Sequence, residues 1–236
     1  MAKSNVWMSV SDLMTGLMVI FLFIAIAYMN RVKKNQSVLV DYVDTKTKLH
    51  DKLVKEFEND TSRWNMAIGR DLTMKFQKPE VLFGRGDYQL TSDFKNILKK
   101  FIPRYLDILL NDTLMNSKIK EIRVEGHTDT VPAPQYDRDP YLGNIILSQK
   151  RAFEVLKYIR SLDAFKNYTD EERRQLEYWF SANGLSYGKA LDKNGEYTFI
   201  SKLPINPEKS RRVEFRIITE GEEMLEEFVK KNDLTN

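Results

Sequence analysis

Lys118-Ile119-Lys120-Glu121-Ile122-Arg123-Val124-Glu125, followed without a break by Gly126-His127-Thr128-Asp129, is the stretch from which the rest of this chain can be read. Residues 118–125 read as a strand with Ile119, Ile122 and Val124 as apolar markers, and the small and polar residues after it end the strand at a loop. Downstream, a loop rich in Pro and Asp covers Thr130–Leu142, and Ser148–Leu162 reads as a helix with Ala152, Val155, Leu156 and Ile159 on one face. Glu177–Ala182 and Arg212–Ile218 read as two further strands, separated by a long polar connection. Upstream, Thr91 and Ser92 can cap a helix over Asp93–Leu110, whose Phe94, Ile97, Leu98, Phe101 and Ile102 fit helical spacing. Glu80–Phe83 reads as a short strand before the turn Gly84-Arg85-Gly86-Asp87. The expected fold class is therefore α/β (α+β), with element order β-α-β-α-β-β. The tail Glu220–Asn236 reads as a short, acidic, exposed helix.

Further towards the N-terminus the pattern changes. Trp7–Met29 is apolar with one charge, Asp12, and Leu17–Tyr28 carries no polar group except the tyrosine hydroxyl. As a helix the stretch is about 34 Å long, enough to cross a bilayer core. Trp7 and Tyr28 sit near its ends, where amphipathic rings prefer the interface. The flank Tyr28-Met29-Asn30-Arg31 reads as a stop-transfer signal and not as a cleavage site, so residues 7–29 are expected to remain as an anchor after a short tail, 1–6. Residues 30–65 read as a helical stalk. Leu39, Tyr42, Leu49, Leu53 and Phe57 form a broken heptad-like stripe, interrupted at Lys46. Such a stripe is buried either by a second copy of the chain or by the chain's own domain; pairing into a dimer is the expectation. On residue chemistry alone Asp12 has two readings. It caps a shorter helix, Leu13–Met29, or it is an intramembrane carboxylate with a function.

Composition excludes several classes. The chain has 236 residues, a net charge of +3 and 30% charged residues of both signs interspersed, a balance that does not suggest a nucleic-acid binder. It has no cysteine, which removes disulfides, thiol nucleophiles and Cys-based zinc sites. With only His50 and His127, a multi-histidine metal site is not expected, and no catalytic constellation points to an enzyme or a cofactor. His127 has no nucleophile or partner base beside it in sequence and reads as a structural residue at a strand end.

Val124-Glu125-Gly126-His127-Thr128-Asp129, then Asn144, Leu147-Ser148 and Arg151-Ala152, then Arg211-Arg212-Val213-Glu214, resemble the OmpA-like peptidoglycan-binding domain over Pro79–Ile218, within a domain expected to cover 66–218. The resemblance implies a ligand: the diaminopimelate of a peptidoglycan stem peptide, which offers both ammonium and carboxylate. Asp129 and Arg151 would hold its opposite ends, since arginine's planar fork suits a carboxylate. Asn144 and Leu147 would shape the pocket, with Thr128 beside Asp129. The chain departs from the pattern at Gly143, where the family often has tyrosine, at Ser210, where asparagine is common, and in its longer loop 130–142.

Ser11-Asp12-Leu13-Met14-Thr15-Gly16-Leu17-Met18 resembles a segment of flagellar stator B subunits, the MotB family, whose aspartate carries the transported ion; the matching residue is Asp12. The short leading tail and residues 11–24 look more like the B subunits of Zorya anti-phage defence systems. That resemblance implies an inner-membrane motor driven by proton motive force. Two B chains would lie within five chains of a MotA-like A subunit, each B chain held to the wall. It also implies a cytoplasmic N-terminus and a periplasmic C-terminal domain, although Lys3 against Arg31, Lys33 and Lys34 argues for the opposite orientation by the positive-inside rule. Flagellar or TolR/ExbD-type stators, and a passive membrane-to-wall tether, are the alternatives.

Overall fold

Two strands carry the centre of the domain. In this computed structural model, residues 2–84, 86–112 and 116–221 are described, with side chains of 2–9, 34–36, 38, 39, 41 and 42 excepted. Strands β3 (Ile119–His127) and β5 (Arg212–Thr219) run antiparallel. Because side chains alternate across a strand, their pairing divides the sheet into two faces. Ile122 lies opposite Ile217, Val124 opposite Phe215 and Gly126 opposite Val213, and these apolar residues are buried. Arg123 opposite Arg216, Glu125 opposite Glu214 and His127 opposite Arg212 form the other face. The strands β1 (Met66–Ile68), β2 (Thr73–Phe76) and β4 (Phe180–Gly184) complete a five-stranded sheet of order β1-β2-β5-β3-β4. Only the β3–β4 pair is parallel.

The apolar face is covered by helices. In chain order, α1 is Ala2–Phe57, α2 Thr61–Trp64, α3 Pro79–Leu82, α4 Ser92–Asn111 and α5 Pro140–Ser161. Helix α4 starts as expected: the Thr91 hydroxyl accepts from the Phe94 amide at 3.1 Å. It buries Phe94, Leu98, Phe101, Ile102, Tyr105, Leu106 and Leu109 along one stripe. The rings of Phe76, Phe101 and Phe215 meet edge-on with centroids 5.2–5.9 Å apart, the arrangement their quadrupoles favour. Helix α5 approaches the sheet over paired glycines. A Cβ on Gly126 would stand 2.3 Å from the Ser148 carbonyl oxygen, and one on Gly184 would stand 2.3 Å from the Gln149 amide.

The chain divides into two compact units, 1–44 and 45–236. Within the first, Val10–Lys33 is the one helical stretch among the described residues long and apolar enough to cross a membrane, and its large apolar side chains are exposed. Within the second, the end of α1 is part of the core: Leu49, Leu53 and Phe57 are fully buried. Arg104 fastens this end, with Nε 2.6 Å from Glu56 and Nη1 2.6 Å from Asp60, while its guanidinium lies 4.7 Å from the Phe57 ring centroid. For these three residues the stripe is therefore covered by the chain's own domain and not by a second copy. Leu39 and Tyr42 lie outside the described side chains.

Four expectations from sequence are corrected. Glu80–Phe83 is not a strand: α3 occupies Pro79–Leu82, and Phe83 forms only an isolated bridge with Leu90. Pro79, with no amide to satisfy and φ preset, suits a first helical turn. Glu177–Trp179 belongs to a helix, Asp170–Trp179, opened by a Thr169–Glu172 capping box and burying Leu176 and Trp179 one turn apart. The helix expected from Ser148 begins at Pro140, because Asp139 caps it. Finally, β1 and β2 form a hairpin over 66–76, where the sequence reading named no strand, so two strands and not one precede α4. The expected acidic helix falls mostly on residues 222–236, outside the described residues.

Candidate functional site

The site is built where β3 ends and α5 begins. Thr128 and Asp129 follow the strand directly. Asp139 Oδ1 accepts from the amides of Tyr141 at 2.7 Å and Leu142 at 3.0 Å, which starts α5 two turns before Ser148. Asn144, Leu147 and Arg151 then fall three and four residues apart, on one side of the helix. All five residues expected to bind the wall, Thr128, Asp129, Asn144, Leu147 and Arg151, line one cavity of about 390 Å³. The rest of its wall includes Leu82 to Gly84, the 131–135 loop and Arg211 with Arg212.

Each polar group in the cavity has a defined setting. Asn144 Nδ2 donates to the carbonyls of Val131 at 2.9 Å and Pro140 at 3.0 Å, which ties the loop to the helix. Arg151 is only 7% exposed. Its Nε donates to the Asp87 carbonyl at 2.9 Å, and its guanidinium lies 4.9 Å from the Phe83 ring centroid. Burial lowers the Arg151 pKa to about 10, with Asp129 opposing the shift. It remains charged at neutral pH, and among the described residues its two Nη groups donate no hydrogen bond. The Thr128 hydroxyl is buried without a partner, which leaves hydrogen-bonding capacity for a ligand. Asp129 Oδ1 accepts from the Val131 amide at 3.0 Å, and Oδ2 pairs with Arg211 Nη1 at 2.6 Å. Asp129 and Arg151 face the same cavity without bonding each other.

Arg211 is the site residue that sequence reasoning did not single out. Its signal was the doubled arginine at the start of β5: Arg212 opens the strand, and Arg211, the residue before it, is left to the cavity side. Two of the three departures from the family pattern also have local reasons. A Cβ at position 143 would stand 2.7 Å from the Ala133 carbonyl oxygen, so no larger residue fits. Ser210 Oγ accepts from the Leu191 amide at 2.9 Å and donates to its carbonyl at 3.2 Å, holding the connection before β5.

Next to the cavity lies a second, sealed cluster. His127 Nε2 is 3.4 Å from Glu125 Oε2 and 3.8 Å from Glu214 Oε2. Among the described residues these three have the spacing of metal ligands. Their charge is already matched: Arg212 Nε pairs with Glu214, Lys75 lies 3.9 Å from Glu214, and Arg123 lies 3.9 Å from Glu125. A divalent ion would add charge to a balanced group, so the cluster is an ionic lock. Burial lowers the pKa of His127, and Glu125 opposes this without reversing it.

Asp12 lies ten residues inside α1, whose first residue is Ala2. It is therefore not a helix cap. One turn on, the Thr15 hydroxyl donates to the Ser11 carbonyl at 2.8 Å.

The chain is 36% identical over 232 residues to the Zorya protein ZorB of Escherichia coli strain Crooks, a match covering 95% of this chain and 92% of that protein. The chain belongs to the ZorB family. Another ZorB, from Escherichia coli O139:H28, is 26% identical over 223 residues, covering 92% of this chain and 81% of the relative. No family model matches the sequence. Among solved structures, a MotB-like protein from Desulfovibrio vulgaris superposes with a TM-score of 0.49 at 19% identity, covering 75% of this chain and 96% of its own. The cavity residues of this ZorB-family chain thus sit in a protein related to ZorB along nearly its whole length.

Proposed function

We propose that this chain is the B subunit of an ion-driven motor of a Zorya anti-phage defence system, anchored in the bacterial inner membrane and tied to peptidoglycan. Its N-terminus is cytoplasmic and its globular domain periplasmic. The transported ion is a proton, the partner is a MotA-like A subunit, and two B chains stand within five A chains. Membership in the ZorB family supports the setting. The observation that carries the mechanism is a carboxylate, Asp12, inside α1 at the head of its apolar span. A carboxylate in hydrocarbon is costly when charged and much less so when protonated. Gain and loss of a proton therefore change its contacts with a surrounding A subunit, while the wall-bound domain resists rotation. At the wall, Asp129 receives the ammonium of diaminopimelate and Arg151 its carboxylate, with Asn144, Leu147 and Thr128 completing the pocket.

Two variants test this reading. Asp12→Asn keeps size and most hydrogen bonding but cannot release a proton. It is expected to abolish phage protection in plating assays at matched protein levels, while Asp12→Glu retains part of it. Full protection by Asp12→Asn reduces the chain to a passive tether. Arg151→Ala is expected to weaken pull-down of the protein on purified sacculi by about 1.5–3 kcal/mol, the size of a charge-assisted contact. Unchanged binding removes the pocket from the wall.

A further inference from the structure

The cavity's own side chains already satisfy part of its charge. The carboxylate assigned to the ligand's ammonium, Asp129, is engaged by Arg211 at 2.6 Å. A ligand ammonium that takes Asp129 competes with this guanidinium for the one negative charge between them. Arg212 cannot be the group displaced, because it is held by Glu214 and by the carbonyls of Ser210 and Lys189. Arg211 can: its side chain is 32% exposed while that of Asp129 is 6% exposed, and among the described residues Asp129 is its hydrogen-bond partner. Once displaced, Arg211 stands at a cavity that already holds the unneutralised Arg151. The other acid at the rim, Glu80, is exposed, where solvent screens its charge.

A ligand bearing one ammonium and one carboxylate therefore leaves a guanidinium without a partner, an unfavourable result at a half-buried site. A ligand with a second carboxylate re-pairs every charge: ammonium to Asp129, one carboxylate to Arg151, the other to Arg211. We propose that Arg211 is the specificity residue of the cavity, released from Asp129 by the ligand and taking up a second ligand carboxylate, so that the site prefers stem peptides ending at diaminopimelate. In these the second carboxylate is free. In longer stems it is an amide, which has no charge to offer. The inference rests on the cavity being the stem-peptide site and adds which stems it selects.

The test is calorimetric titration of the full chain in nanodiscs with two soluble probes, a stem tripeptide ending in diaminopimelate and the tetrapeptide with D-alanine added. The unaltered protein is expected to bind the tripeptide about tenfold more tightly, the equivalent of about 1.4 kcal/mol. Arg211→Gln is expected to bring the two affinities within about twofold of each other, chiefly by weakening the tripeptide, and Arg211→Lys to keep part of the preference. The proposal is overturned if the unaltered protein does not discriminate, or if Arg211→Gln keeps the tenfold preference. Arg151→Ala reports separately on the cavity: if it binds both probes as the unaltered protein does, the stem-peptide reading falls, whatever Arg211 does.

Discussion

Two ionic groups lie at the same end of β3 and β5, one open and one closed. Asp129–Arg211 borders a cavity and has room to exchange partners. Glu125–His127–Arg212–Glu214 is shut inside the fold, with side chains 0–3% exposed. The residues are neighbours in sequence: Arg211 adjoins Arg212, and Asp129 is two positions from His127. What separates them is the end of the strand. Inside it, alternation and register set each side chain on one face of the sheet; one residue beyond, a side chain is free of the ladder. The contrast suggests a division of labour, in which the closed group holds the sheet and the open group meets ligand.

Removing one arginine at a time is the strongest challenge to that division. Arg212→Met leaves Glu214 buried with its main partner gone and should lower the free energy of unfolding of the globular domain by about 3–5 kcal/mol. Arg211→Met, at a partly exposed pair, should lower it by no more than about 1 kcal/mol. Denaturant titration reads both, and equal losses would erase the distinction. An effect between these two is expected from Gly126→Ala, which lies between Glu125 and His127 of the closed group. The added methyl meets the Ser148 carbonyl oxygen, and overpacking of this kind costs about 1–3 kcal/mol. Because relief requires α5 to move, and α5 carries Asn144, Leu147 and Arg151, sacculus binding should fall in the fraction that still folds.

The smallest effect is with pH. Burial holds His127 below its ordinary value of 6.5, so just below that pH the unfolded chain binds more protons than the folded one. The stability contributed by neutral His127 is complete above about 6.5 and is lost as pH falls from there through the lowered value. Glu125 moves in the same direction at lower pH. Burial works against its charge, but His127, Lys189 and Arg216 outweigh this and hold it below 4.5, so its contribution is lost as pH falls through that lowered value. Thermal melts from pH 7.5 to 5.5 should show a decreasing Tm, with a shallower slope in His127→Gln. Identical slopes would remove His127 from the lock.

The two groups were not equally legible in sequence. Thr128, Asp129, Asn144, Leu147 and Arg151 could be named because a motif marks them, and the cavity does gather all five. Arg211 could not, since its role depends on the residue at which β5 begins. The same limit explains the misread elements. Apolar residues at 80–83 and 177–182 suit a strand or a helix over so short a run, and Pro79, Asp139 and the Thr169–Glu172 box were the local signals that decide. The stripe Leu49, Leu53, Phe57 was read correctly as buried, but periodicity states that a face is covered without saying by what. The sheet order was invisible, because it depends on contacts between residues far apart in the chain.

That order has a temporal consequence. β5 is the last strand in sequence, yet it lies between β2 and β3. A ribosome that has not yet released residues 212–219 leaves two unpaired strand edges where the middle of the sheet should be, and neither arginine at positions 211 and 212 has arrived. Such long-range pairing is closed late and slowly. The apolar helix is synthesised first and the centre of the sheet last, so a chain truncated before β5 has its span but no completed sheet.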